Sequence, residues 1–252
     1  MLHILTIATD KAKVQDLLAS AAVYNTPIEV IYLPSWNGYI DKIKAMKEVL
    51  QTYKSDDIIC FIDAYDVLCT ASAEKIMKAY NALQSPLVFS TELNCFPPHL
   101  QSRYDALPNG ATRSKYVNSG GYIGRCDAII EFLNWKPLEE ITTMCEVGGD
   151  QTYFAEYYLS NPHKVALDYK QEIFQNMFFV GWGEILFVNS RVYNKTLQTS
   201  PCFLHFNGQS HGSMRKPNIM PDIVEILQKD EFKEMSTLNQ SLSSWYYPRP
   251  QI

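Results

Sequence analysis

The chain has no excess of positive charge: 22 Lys and Arg stand against 27 Asp and Glu, a formal net charge of -5. That argues against a nucleic-acid binder or a protein resting on anionic lipid, so an anionic ligand must be neutralised locally, by a metal or a few cations. No segment approaches the ~20 consecutive apolar residues of a membrane span. Met1-Leu2-His3-Ile4-Leu5-Thr6 lacks the basic start and small-residue cleavage site of a signal peptide, so the residues alone point to the cytoplasm. The six cysteines, Cys60, Cys69, Cys95, Cys126, Cys145 and Cys202, show no CxxC spacing, and several lie inside apolar runs, so buried free thiols are expected. There is no internal repeat and no Gly-X-Y periodicity. Two sequons, Asn194-Lys195-Thr196 and Asn239-Gln240-Ser241, matter only if the chain enters a secretory compartment.

What is present is 252 residues with 46% hydrophobic content, enough for a sizeable core. Short apolar runs alternate with helical periods. A strand from Ile4 to Ala8 is followed by a helix with Val14, Leu17, Leu18 and Ala21, a strand from Ile28 to Leu33, and a helix from about Ile40 with Ile43, Met46 and Leu50 inward. The strand Ile58-Ile59-Cys60-Phe61-Ile62, a helix from Glu74 to Leu83 and the strand Leu87-Val88-Phe89-Ser90 continue the order, which predicts an α/β fold with a mainly parallel, doubly wound sheet flanked by helices. The passage with Pro97-Pro98 and Pro108-Asn109-Gly110 reads as a substrate-side loop. Further structure is expected at Tyr116 to Gly124, in a helix capped by Asp127 with Ile129, Ile130 and Leu133 inward, in another helix starting near Asp150, in strands at Val165 to Leu167 and Cys202 to Phe206, and in a helix begun by Pro221. A single domain over 1-235 with a tail at 236-252, whose Trp245-Tyr246-Tyr247 offers aromatics for docking on the domain, is the simplest organisation.

The densest chemistry lies at Phe61-Ile62-Asp63-Ala64-Tyr65-Asp66. Residues three apart on a continuing strand point to opposite sides, so Asp63 and Asp66 share a ligand only if the chain turns between them. A turn brings its ends within about 7 Å, close enough for both carboxylates to reach one hard divalent cation, which at the strand ends of an α/β sheet is placed to hold a diphosphate. The alternative is that Asp63 ends the strand and Asp66 caps the next turn.

Four motifs follow in order: Phe61-Ile62-Asp63-Ala64-Tyr65-Asp66-Val67, Asn118-Ser119-Gly120-Gly121-Tyr122-Ile123-Gly124, Gly149-Asp150-Gln151 and His205-Phe206-Asn207-Gly208. With Thr6-Ile7-Ala8-Thr9, Trp36-Asn37, Phe89-Ser90-Thr91-Glu92, Leu167-Asp168 and Ile173-Phe174-Gln175-Asn176, they resemble the glycosyltransferase domain of the procollagen lysyl hydroxylases, over roughly Leu5 to Gly208. The resemblance implies a GT-A fold in which Asp63, Asp66 and His205 hold Mn²⁺ and Tyr65 lies against the uridine of a UDP-sugar. Ile7 and Thr9 would border uracil and ribose, Trp36 would shape that pocket, and Lys42 would reach the diphosphate, with Asn207, Gly208 and His211 on its other side. Ser119 and Gly120 would make room for the sugar, and Asp150, with Asn118 and Gln151, would form the catalytic set. Glu92 and Asp168 match family acids, and each would either contact donor or acceptor or serve as a buried hydrogen-bonded support.

The implied reaction is retaining transfer of glucose from UDP-glucose to galactosyl-hydroxylysine of collagen or a collagen-like protein, in the endoplasmic reticulum. Alternatives are galactose transfer to hydroxylysine, transfer to another glycan, or a non-catalytic module that binds UDP-sugar or collagen. Two positions depart from the pattern: the acidic cluster before Gln151 is reduced to Gly148-Gly149-Asp150, and His211 stands where the family carries lysine.

Overall fold

The computed structural model describes residues 1–108, 113–208, 219–229 and 233–234. The expected tail at 236–252, His211, the Asn239 sequon and the Asn109-Gly110 turn lie outside them.

Period-two alternation builds the centre. In β1 (Leu2–Ala8) and β3 (Ile58–Ile62), Leu5, Ile7, Ile59 and Phe61 enter one apolar cluster while Ile4, Ala8, Cys60 and Ile62 enter another, so both faces of the sheet are covered. The first cluster is closed by α2 (Ile40–Val49), α5 (Cys126–Leu133) and α6 (Leu138–Ser160), the second by α1 (Gln15–Val23) and α3 (Ala73–Ala82). With β2 (Glu29–Tyr32), β5 (Leu87–Glu92), β6 (Tyr116–Arg125) and β7 (Ala166–Leu167), these strands form a six-stranded sheet in the order β2-β1-β3-β6-β5-β7. β1 runs parallel to β2 and β3, and β5 parallel to β7, but β6 is antiparallel to both neighbours. The reason is the passage after β5. Its described residues hold a short 3₁₀ turn and α4 (Gln101–Asp105), and it re-enters at the end where β5 left, with Tyr116 paired to Glu92.

Two three-stranded sheets are added: β4-β11-β8, from β4 (Val67–Cys69), β8 (Phe174–Asn176) and β11 (Phe203–His205), and β10-β9-β12, from β9 (Ile185–Val188), β10 (Arg191–Asn194) and β12 (Lys233–Glu234). A third apolar cluster joins them to α7 (Ile219–Lys229), which carries Pro221 in its first turn and buries Ile223, Ile226 and Leu227.

The differences from expectation are local. The helix expected to be capped by Asp127 begins at Cys126 without a side-chain cap; Asp127 is exposed and pairs with Arg125 at 2.6 Å, and Ile130 is only half-buried. The first arm of α6 and strands β4, β8, β9, β10 and β12 were not anticipated. All six cysteines are buried free thiols. Asn194 of the first sequon is buried, donating to Gln175 Oε1 at 2.7 Å and accepting from the N–H of Thr196 and Leu197, so its amide is withheld from modification in the folded chain. Among the described residues no helix is long and apolar enough to cross a membrane.

Asp168, just past β7, is a support. Its fully buried carboxylate accepts from the backbone N–H of Glu172, Ile173 and Phe174 at 2.8 to 2.9 Å, closing the turn into β8. Asp168→Ala leaves three buried donors orphaned and is expected to cost about 2–4 kcal/mol in urea unfolding. Burial pushes this carboxyl up to about 6, against the three N–H bonds that favour the anion. A folded-state value above the unfolded one means that the contribution is complete below about pH 4 and is lost as pH rises through about 6. The wild type should therefore gain stability relative to Asp168→Asn as pH falls across that window, which paired denaturation curves would read.

Candidate functional site

Strand ends deliver the site. Asp63 follows β3 directly, its N–H donating to Gly120 O at 2.9 Å, and the chain then bends through Ala64, Tyr65 and Asp66 into β4. β4 pairs antiparallel with β11, setting His205 opposite Val67, while Phe206 N–H donates to Asp66 O at 2.8 Å. One ligand atom from each of Asp63, Asp66 and His205 thereby falls within 4.8 Å of the others. His205 Nε2 lies 3.2 Å from Asp66 Oδ2 and 3.9 Å from Asp63 Oδ2. Two carboxylates and an imidazole form a donor set that fits a divalent ion such as Mn²⁺.

The imidazole is aimed from behind. Its Nδ1 sits 2.7 Å from Asn176 Oδ1, and Asn176 Nδ2 donates to Thr91 O at 2.8 Å and to Ser90 Oγ, which fixes the amide orientation. Since an amide oxygen only accepts, Nδ1 carries the proton and Nε2 faces the carboxylates. Burial alone would lower the His205 pKa, but the carboxylates of Asp66 and Asp63 outweigh it and raise it. Proton and metal then compete for Nε2. Mn²⁺ affinity, read by calorimetry, is expected to weaken as pH falls from about 8 to about 6.

Lys42 projects from α2 into the same space. Its buried ammonium donates to Asp63 Oδ1 at 2.7 Å and lies 2.7 Å from Asp150 Oδ2. Burial opposes its charge, yet the two carboxylates together raise its pKa, so it stays an ammonium. Asp63 thus spends one oxygen on Lys42 and turns the other toward His205. Asp150 owes its place to a break in α6: Gly148 and Gly149 leave helical geometry, and Gly149 at φ +67° occupies the left-handed region that glycine tolerates. The second arm of α6 starts there, as expected, with Asp150 Oδ1 accepting from Ser119 Oγ at 3.0 Å. Burial is the main reason its carboxyl is raised.

Glu92 is the residue whose role the sequence left open. Its buried carboxylate accepts from Asn118 Nδ2 at 2.9 Å and Gln151 Nε2 at 2.8 Å on one oxygen, and from Asn207 Nδ2 at 2.9 Å on the other. One group at the end of β5 therefore sets the orientation of three amides carried by β6, α6 and the segment after β11. Asn118 Oδ1 in turn accepts from Gly120 N–H at 2.9 Å, and so links this hub to Asp63. Glu92→Gln puts an amide nitrogen against amide donors. We expect roughly a ten- to hundredfold fall in turnover with a melting temperature lowered only slightly.

At the other rim, Tyr65 Oη accepts from the N–H of Thr9 at 2.6 Å and of Asp10 at 2.9 Å, which pins the half-exposed ring over the end of β1. Trp36 is exposed and packs edge-on to Tyr39 at 6.0 Å, whereas Ile7 is buried in the core. Gly120 and Gly121 lie where the β5–β6 register slips, so this is a bulged strand as well as a site wall. Gly208 adopts φ +62° just past β11. The fold thus brings Asp63, Asp66, His205, Lys42, Asp150, Ser119, Gly120, Asn118, Gln151 and Asn207 together at one end of the sheet. What sequence reasoning missed is Asn176 behind His205, visible beforehand only as part of a resembling string, and Lys42 as a bridge between two carboxylates.

A family described as the PLOD GT domain matches residues 1–219. Among curated relatives, an uncharacterized protein of Acanthamoeba polyphaga mimivirus is 31% identical over 178 residues, 70% of this chain and 37% of that protein. The chicken procollagen-lysine,2-oxoglutarate 5-dioxygenase 1 is 28% identical over 229 residues, 82% of this chain and 30% of its own length. A multifunctional procollagen lysine hydroxylase and glycosyltransferase of Caenorhabditis elegans is 29% identical over 231 residues, 83% of this chain and 30% of its own. The chain spans about a third of the length of these relatives.

Proposed function

Because the chain belongs to the PLOD GT domain family, the glycosyltransferase domain of the procollagen lysyl hydroxylases, we propose that it transfers glucose from UDP-glucose to galactosyl-hydroxylysine of collagen or a collagen-like protein, with Mn²⁺. The observation that carries this reading is the convergence of Asp63, Asp66 and His205 at the strand ends, 4.8 Å or less between ligand atoms. A divalent ion held there would offset the charge that develops on the departing diphosphate.

The chain's own residues supply the rest. Tyr65, its hydroxyl engaged by backbone, offers a ring face to the uracil, and Thr9 stands beside it. Asn207 and Gly208 allow close approach of a phosphate at the end of β11. Lys42 holds Asp150 beside Ser119 and Gly120, where a carboxylate can orient sugar hydroxyls and favour positive charge at the anomeric carbon. With its ammonium between Asp63 and Asp150, Lys42 acts on the diphosphate through the metal site more than by direct contact. The endoplasmic reticulum, where the resemblance places such acceptors, is the compartment this reading favours.

The test crosses UDP-glucose and UDP-galactose with galactosyl-hydroxylysine and hydroxylysine peptides, with Mn²⁺ or a chelator. Glucose transfer that needs the metal is expected. Preference for UDP-galactose on bare hydroxylysine overturns the assignment, and nucleotide binding without transfer to any acceptor points to a binding module.

A further inference from the structure

Parallel pairing of β8 with β11 sends both strands out at the same end of the molecule. Met177 N–H donates to His205 O at 2.8 Å and Phe178 N–H to Asn207 Oδ1 at 3.1 Å, so the two residues after Met177 emerge beside His205 and Asn207. They are Phe178 and Phe179, stacked with ring centroids 4.1 Å apart and planes 28° from parallel. Phe178 leans on Gly208, where a Cβ would meet its ring at 3.5 Å. Phe179 is 55% exposed and sits at φ +63°, a conformation bulky side chains rarely adopt.

This exposure does not come from a slack loop. Val180 N–H closes a turn onto Met177 O at 3.1 Å, Gly181 N–H donates to Glu184 Oε1 at 2.9 Å, and Arg113 grips the Glu184 carboxylate through both of its terminal nitrogens, at 2.5 and 2.8 Å. The backbone is held in an unfavourable shape that keeps an aromatic face in solvent next to the site. Strain of this kind persists where surrounding structure enforces it, and function is the usual reason.

We propose that the Phe178–Phe179 stack is the acceptor subsite, taking the apolar C–H face of a neutral sugar ring, so that the acceptor is read as a glycoside and not as a bare amino-acid hydroxyl. This rests on the transferase reading above. An acceptor hydroxyl must reach the anomeric carbon of the donor, so the ring that bears it lies beside the residues that hold the donor, where the platform stands. The stack is uncharged, and the charges that brace it are spent on each other, which suits a neutral ring.

The test is calorimetric titration of galactosyl-hydroxylysine into the full chain with Mn²⁺ and UDP, for wild type, Phe179→Ala and Phe179→Gly, alongside UDP titrations of each. Both variants are expected to bind galactosyl-hydroxylysine about tenfold more weakly with UDP affinity unchanged, and Phe179→Gly, which relaxes the backbone, to melt no lower than wild type. Unchanged acceptor affinity overturns the proposal. So does UDP affinity lost in step, a wild type that binds UDP but no galactosyl-hydroxylysine, or a sugar-free proline-rich peptide that binds the platform as well. Failure of the parent reading shows separately, as a wild type without Mn²⁺-dependent UDP binding.

Discussion

Gly120→Ala is expected to weaken Mn²⁺ binding more than about 100-fold and to abolish transfer, although only one methyl group is added. The new Cβ would lie 2.2 Å from His205 Cε1, 2.9 Å from His205 Nδ1 and 2.8 Å from Asp63 Oδ2. Two of the three proposed ligands would be displaced at once. His205 cannot swing aside cheaply, because Asn176 holds its Nδ1 and the ring is buried. The neighbouring Gly121→Ala is the control: its Cβ would meet the Phe174 ring at 2.7 Å, a clash with the core and not with the ligands. That variant should lose stability while the fraction that folds keeps its metal affinity. Calorimetry with Mn²⁺ and thermal melts on both variants separate the cases, and wild-type affinity in Gly120→Ala would remove His205 from the metal site.

The second large effect separates the two aspartates. Asp66→Ala and Asp63→Ala should each lower metal-dependent transfer by at least about 10³-fold. Their stabilities should diverge. Asp63 also accepts from Lys42, so its loss leaves the Lys42–Asp150 pair without its second carboxylate, and destabilisation of roughly 1–3 kcal/mol is expected. Asp66 pairs with His205. In metal-free protein its carboxylate lies 3.2 Å from His205 Nε2, and Asp66→Asn gives up that pairing while keeping the shape of the side chain. Metal-free Asp66→Asn should therefore melt slightly below wild type, less far than Asp63→Ala, and fail to show the roughly 2.7 kcal/mol gain that saturation at 100 times Kd brings to a competent site. A normal Mn²⁺ response in that variant would exclude Asp66 as a ligand.

Much of the fold was legible because its signals are local. The apolar run at Ile58 to Ile62, the stripe of Ile43, Met46 and Leu50, and the Gly148-Gly149 break before Asp150 each declare an element within a few residues. What was not legible depends on partners distant in sequence. β8 and β9 are too short to show a period, and β4 exists because β11 pairs with it across more than a hundred residues. The capping role expected of Asp127 failed because the helix begins one residue earlier, at Cys126, which puts Asp127 inside the first turn, where it pairs with Arg125. In the site, residue types pointed to Asp63 and Asp66 and the resemblance added His205 to the proposed ligands, but nothing in the sequence says that Lys42 is spent on Asp63 and Asp150 or that Glu92 collects three amides, since both follow from where separate elements end.

His205 lies 139 residues after Asp66. At ribosomal rates of ~5–20 residues per second, the first strands wait on the order of ten seconds before the strand that completes the proposed ligand set is made. Until then a nascent chain carries two carboxylates of the proposed set but not its imidazole. The proposed site is therefore completed in one step, when β11 pairs with β4.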